Sequence, residues 1–225
     1  MKKEPNSSSP PFEKALHYEQ EGDFSTAFDL FRQSLEYDEI DIGDALFHCG
    51  WCLEQAAHHN WEDILNYYEQ AAEKTSMVLV KMNSYFRSGW LWLQEKQYQR
   101  AGEHFRKAVE FAEEKEAWNE ISYSALYWYA VVLEAQGRYL DALSYHRKLQ
   151  TFETHLIPES RFREIQCLIQ IGAYSEALEV CKKFQESPPD DVDIDRFNNL
   201  KELVLNEQRL LEQALDDNFL ITGKK

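Results

Sequence analysis

The chain has 225 residues, 44% of them hydrophobic and 14% aromatic, enough apolar material to close the core of one or two ordinary domains. Its 40 acidic residues against 24 basic ones leave a formal net charge of -16, which excludes the Lys/Arg excess needed to attract nucleic acid or an anionic membrane surface and favours a basic or uncharged partner. Eight Gly and six Pro are too few for the frequent turns of a β-rich chain of this length, so an all-α fold is expected.

In chain order, residues 1–10 are Ser- and Pro-rich with no apolar stretch behind Lys2 and Lys3, which predicts a disordered lead and no signal peptide. A cytoplasmic location follows as an expectation, with the four cysteines kept as thiols. From residue 11 a pattern recurs at five turns: GDFSTAFDLF at 22, NWEDILNYY at 60, KQYQRAGEHF at 96, GRYLDALSYH at 137 and GAYSEALEVC at 172. In each, an aromatic residue (Phe24, Trp61, Tyr98, Tyr139, Tyr174) is followed three positions later by a small or apolar one (Ala27, Ile64, Ala101, Ala142, Ala177). Four positions further come Phe31, Tyr68, Phe105, His146 and Cys181, so steps of three and four set all of these on one helical face.

A second amphipathic segment precedes each turn, with a small or apolar slot twelve residues before the alanine at Ala15, Gly89, Ala130 and Ile165, and fourteen before Ile64 at Gly50, where AAHHN lengthens the turn. The pattern predicts helix pairs over approximately 11–40, 43–75, 78–114, 117–156 and 158–187. Pro188 and Pro189 then break the chain. A final helix over 191–217 is expected to cap the stack with Phe197, Leu200, Leu203, Val204, Leu210, Leu211, Ala214 and Leu215 on one face, before a flexible tail at 218–225. The longest apolar window, YSALYWYAVVL at 123–133, is too short to span a bilayer, so no membrane insertion is expected.

Five such pairs in register resemble the tetratricopeptide repeat (TPR) family, whose unit is a helix-turn-helix of about 34 residues with a small residue where the helices meet and an aromatic-x-x-Ala entry to the second helix. The resemblance spans roughly residues 8–190. It implies a right-handed superhelix of about five units plus a C-terminal capping helix, because a single pair cannot hide its apolar face and must stack on its neighbours. Ile165 departs from the family's Gly/Ala slot, and a proline after the second helix occurs only in the last unit, at Pro189.

FHCGWC, residues 47–52, has the spacing of a dithiol or metal motif. In the repeat register, however, Cys49 and Cys52 flank the small slot Gly50, and Cys167 occupies the place equivalent to Cys52 without any CxxC. A redox pair belongs at a helix start in an electropositive setting, and a zinc site needs a second ligand pair, for which the adjoining His58 and His59 are a poor substitute. These cysteines are read as apolar filler. No metal and no cofactor is expected.

The resemblance makes the first helices an inner wall, faced by the positions three before and one after each slot. The first column reads Phe12, Phe47, Phe86, Tyr127 and Phe162; the second reads Leu16, Trp51, Trp90, Val131 and Gln166. Two before the slot come Glu13, His48, Arg87, Trp128 and Arg163, and four after it Glu19, Glu54, Leu93, Glu134 and Ile169. Phe47, Trp51, Phe86, Arg87, Trp90, Tyr127, Trp128, Phe162 and Arg163 are therefore the candidate groove for an apolar or aromatic segment of another protein. The Lys and Asn residues with which chaperone-binding family members hold a C-terminal carboxylate are absent, leaving Asn83, Arg87 and Arg163 as the groups able to meet one. A groove filled by the chain's own bulky side chains is the alternative reading of the same aromatic stripe.

No phosphate-binding Gly loop, HExxH or GxSxG occurs, and enzymatic activity is not expected. The function expected is a non-catalytic adaptor or scaffold. The alternative is a chaperone or regulator of a specific client, resembling the acidic repeat chaperones of bacterial secretion or the repeat proteins that act on response regulators in signalling. Self-association through the groove or the end helix is the remaining possibility.

Overall fold

A computed structural model describes residues 10–37, 40–56, 60–184 and 193–222, with side chains through Asp216. Among these residues there are eleven α-helices and no strand: α1 (Pro11–Glu21), α2 (Phe24–Ser34), α3 (Ile42–Gln55), α4 (Trp61–Lys74), α5 (Val78–Gln94), α6 (Tyr98–Glu114), α7 (Glu120–Ala135), α8 (Tyr139–Leu149), α9 (Ile157–Gln170), α10 (Tyr174–Phe184) and α11 (Ile194–Thr222). The expectations for the leading residues, for His58 and His59, for the Pro188–Pro189 break and for the last three residues lie outside the described residues.

Local chemistry sets the helix starts and stops. Asp23, Asp41 and Asn60 accept hydrogen bonds at the N-termini of α2, α3 and α4 from the backbone N–H groups of Thr26, Asp44 and Glu62, at 3.1, 2.9 and 3.2 Å. Gly22, Gly137 and Gly172 end first helices with φ of 82°, 74° and 76°, a left-handed conformation that turns the chain into the second helix. In the third pair Lys96 takes that role with φ 58°.

The helices divide into two compact units, one ending at Ser122 and the other starting at Tyr123. In the first, each helix from α1 to α5 packs on its successor, and α3 also touches α5. What lets the two helices of a pair approach is the slot. A Cβ added at Gly50 would meet the Tyr68 ring at 3.0 Å, and one at Gly89 would meet the Phe105 ring at 2.8 Å. Tyr68 and Phe105 are fully buried, as are Ala15 and Phe31, which share one core cluster with Ala27, Cys49 and Cys52.

In the second unit α8 packs on α9, α9 on α10, and α11 on both α9 and α10. Rings of α7 meet α8 through Tyr129 and Tyr145, with centroids 4.8 Å apart. Ile165, the departure from the small slot, is fully buried, and the second-helix position that carries a ring elsewhere is the small Cys181, also fully buried. In the repeat register a large slot residue thus stands with a small second-helix one, the reverse of the glycine pairs.

α11 begins with Phe197 stacked on Phe184, ring planes 3° apart and centroids at 5.2 Å. It runs to Thr222, past the boundary expected at 217. Its buried stripe is narrower than the expected face: Phe197, Val204 and Leu211 are buried, while Leu203 and Leu210 are 48% and 60% exposed and Ala214 is also exposed. Seven-residue spacing presents a single seam, so a helix lying along one groove buries only that seam.

Gly89→Ala tests the slot. Alanine gains about 1 kcal/mol in helix propensity, but the clash with an immovable buried ring costs about 1–3 kcal/mol, so the variant is expected to lower the thermal midpoint. Adding Phe105→Leu is expected to recover stability relative to the sum of the two single changes, measured as a double-mutant cycle by denaturant unfolding.

Candidate functional site

In four of the five pairs the first-helix residue three before the slot packs on the ring of its own second helix. Phe12 meets Phe31 at 5.3 Å, Phe47 meets Tyr68 at 5.4 Å, Phe86 meets Phe105 at 5.8 Å and Tyr127 meets His146 at 6.0 Å between centroids. The aromatic regularity of this column therefore has a packing cause. Yet none of its rings is sealed, since Phe12, Phe47, Phe86, Tyr127 and Phe162 are all half-buried. Trp51, Arg87, Trp90, Trp128 and Arg163 are half-buried as well.

The acids four after the slot are held internally. The Tyr68 hydroxyl donates to Glu54 at 2.6 Å, and Arg87 Nη1 donates to the other oxygen of the same carboxylate at 3.2 Å. The guanidinium of Arg87 also lies over the Trp51 ring, 4.5 Å from its centroid. In the second unit the arrangement recurs: His146 Nε2 lies 2.7 Å from Glu134 Oε1, and Arg163 Nη1 donates to Glu134 Oε2 at 3.1 Å. The first step uses Glu19 and His48 Nδ1 at 2.8 Å, with the His48 ring stacked on Phe31 at 4.7 Å. These three carboxylates are only 14%, 18% and 11% exposed on Glu19, Glu54 and Glu134, and a carboxylate so enclosed needs partners. Each acid thus ties its own pair to the first helix of the next.

This staple is the feature that sequence reasoning missed. Its signal was present: Glu19 then His48, Glu54 then Arg87, Glu134 then Arg163, opposite-tending groups in two columns of consecutive repeats. The corresponding residues Leu93 and Trp128 carry no such pair. Arg87 and Arg163, expected to meet a partner's carboxylate, already hold Glu54 and Glu134. Beside Glu134 and Arg163 a cavity of about 340 Å³ opens in the second unit, lined also by Val131, Tyr139, Gln166 and Gln170.

All four cysteines are buried free thiols. Burial pushes the thiols of Cys49, Cys52 and Cys167 up to about 12, assisted at Cys52 by Glu19 and Cys49 and at Cys167 by Glu134, and pushes Cys181 up to about 11. The CxxC of FHCGWC accordingly lacks the low-pKa thiolate of a redox motif. Burial, then the Glu54 carboxylate beside it, likewise raises the Tyr68 hydroxyl, keeping it a donor.

Solved structures give the fold its class. The chain is similar to YrrB, described as a TPR protein with an unusual peptide-binding site, at a TM-score of 0.61 and 15% identity over 79% of this chain and 84% of that one. It is similar to MamA of AMB-1 at 0.58 and 20%, over 77% and 87%. A Podosopora anserina putative kinesin light chain with nearly identical TPR-like repeats follows at 0.54 and 16%, over 79% and 96%. No family model matches the sequence, and no curated protein matches it. The chain has the tetratricopeptide-repeat fold. Among the described residues, no helix is long and apolar enough to cross a membrane.

Glu54→Gln leaves the shape of the staple but removes its charge, and a loss of about 1–3 kcal/mol is expected in denaturant unfolding. The thiols make a second test. The native state holds their protons more tightly than the unfolded chain, whose thiols titrate near ~8.5. Their contribution is thus whole below that pH and declines as pH rises toward the raised values of about 11 to 12. Iodoacetamide at mildly alkaline pH is expected to label none of the four cysteines in the folded protein and all four after unfolding, read by intact mass.

Proposed function

We propose that the chain is a non-catalytic protein-interaction module whose units each offer the exposed parts of their first-helix aromatic residues to a segment of another protein. The contact residues are Phe47, Trp51, Phe86, Arg87 and Trp90 in the first unit and Tyr127, Trp128, Phe162 and Arg163 in the second. The observation that carries this reading is their shared half-burial: every one is anchored in the fold yet keeps accessible surface. Rings held in place in this way lose little rotamer entropy on binding and give large contact area.

Two further features define the partner's chemistry. Arg87 and Arg163 are engaged by Glu54 and Glu134, so the segment is recognised by ring faces and apolar contact, not by a clamp on its carboxylate. The net charge of -16 favours a segment that is uncharged or basic around its apolar anchors. The peptide-binding site of YrrB, on the same fold, is consistent with this use of the architecture.

Affinity capture with the wild type, with Trp51→Ala/Trp90→Ala and with a control, Leu140→Ala, which lies 69% exposed outside the candidate contact set, tests the reading. Losing two aromatic anchors at ~2 kcal/mol each is expected to cut recovery of the captured protein by more than about thirtyfold, with the control unchanged. Equal recovery by a double variant with native circular dichroism would remove the proposed surface.

A further inference from the structure

Three potential metal ligands meet inside the second unit. Glu134 from α7, His146 from α8 and Cys167 from α9 each bring one ligand atom within 4.8 Å of the other two. His146 and Cys167 are fully buried, and Glu134 is 11% exposed at its side chain. We infer that Glu134, His146 and Cys167 form a binding site for a borderline transition-metal cation of the zinc(II) class.

The chemistry of the set selects the ion. A thiolate, an imidazole and a carboxylate suit zinc(II) and disfavour calcium and magnesium, which take oxygen ligands. Ligand atoms around tetrahedral zinc sit roughly 3.5 Å apart. The 2.7 Å Glu134–His146 contact has to open slightly and the widest separation has to close, both movements within the reach of side-chain torsions. Arg163 donates to Glu134 Oε2, leaving Oε1 as the ligand atom. In the metal-free protein His146 Nε2 donates to Glu134 Oε1; on binding the imidazole takes the tautomer with its proton on Nδ1, an atom no other group occupies, and Nε2 presents its lone pair to the ion. On binding, the Cys167 thiol releases its proton to solvent.

A cluster of the same residue types stands at the first step, Glu19, His48 and Cys52, with the Cys52 sulfur 4.0 Å from Glu19 Oε1; its histidine comes from the register position of Arg163, while Phe31 stands where His146 does. It serves as the internal comparison. The ligands are scattered over 134, 146 and 167 in sequence, which explains why no local motif announced them.

Cobalt(II) titration of the metal-free full chain under reducing conditions provides the test. One equivalent is expected to give the thiolate-to-cobalt charge-transfer band and tetrahedral ligand-field bands, reversed by zinc(II). Cys167→Ser is expected to abolish the charge-transfer band and weaken binding by more than ~100-fold, whereas Cys52→Ser keeps both. Absence of the band in the wild type, or its survival in Cys167→Ser, would overturn the site. Should Cys167→Ser fail to fold, alkylation decides: one equivalent of zinc(II) added to wild type in mild denaturant is expected to protect Cys167, and protection of Cys52 instead, or of neither, is equally fatal.

Discussion

The fold depends on one steric bargain: a ring on the second helix occupies the space that a missing side chain leaves on the first. Gly50 with Tyr68 and Gly89 with Phe105 show it most directly, since even one added carbon at either glycine would meet the ring at 3.0 or 2.8 Å. In the fifth pair the register sets the larger Ile165 with the smaller Cys181, both fully buried. The ring so placed then supports the aromatic residue three before the slot, which is how Phe12, Phe47, Phe86 and Tyr127 come to hold fixed positions.

On this frame electrostatics adds direction. A stack of amphipathic helices could slide in register if only apolar contact held it. Glu19, Glu54 and Glu134 each reach the next first helix, to His48, Arg87 and Arg163. A poorly solvated carboxylate that lost such a partner would be left with an uncompensated charge, so the pairing specifies one register even where its net contribution to stability is modest. The same enclosure holds the cysteine thiols neutral and brings Glu134 into the company of His146 and Cys167.

Much of this was legible in the chain. The aromatic-x-x-Ala entries, the small slots and the lengthened second turn located five helix pairs, because steps of three and four are imposed by helical geometry itself. Ile165 looked like a weakness in the fifth pair; in the structure it is fully buried, as is Cys181 at the second-helix position. The α11 face was read too wide, since offsets of six and thirteen residues turn Leu203 and Leu210 about a third of the way round the helix from Phe197, where they stay exposed. Arg87 and Arg163 were correctly set on the first-helix face, yet their use by Glu54 and Glu134 depends on distances of 3.2 and 3.1 Å that periodicity cannot supply.

The sequence by itself determined the all-helical class, the pairing of helices and which side chains share a face, because these follow from local periodicity and from the volume of single residues. Tertiary structure decided which of those side chains are already occupied by one another. That outcome rests on through-space distances between residues some thirty positions apart, where a displacement of a single ångström separates a charge-assisted hydrogen bond from a solvated, available group.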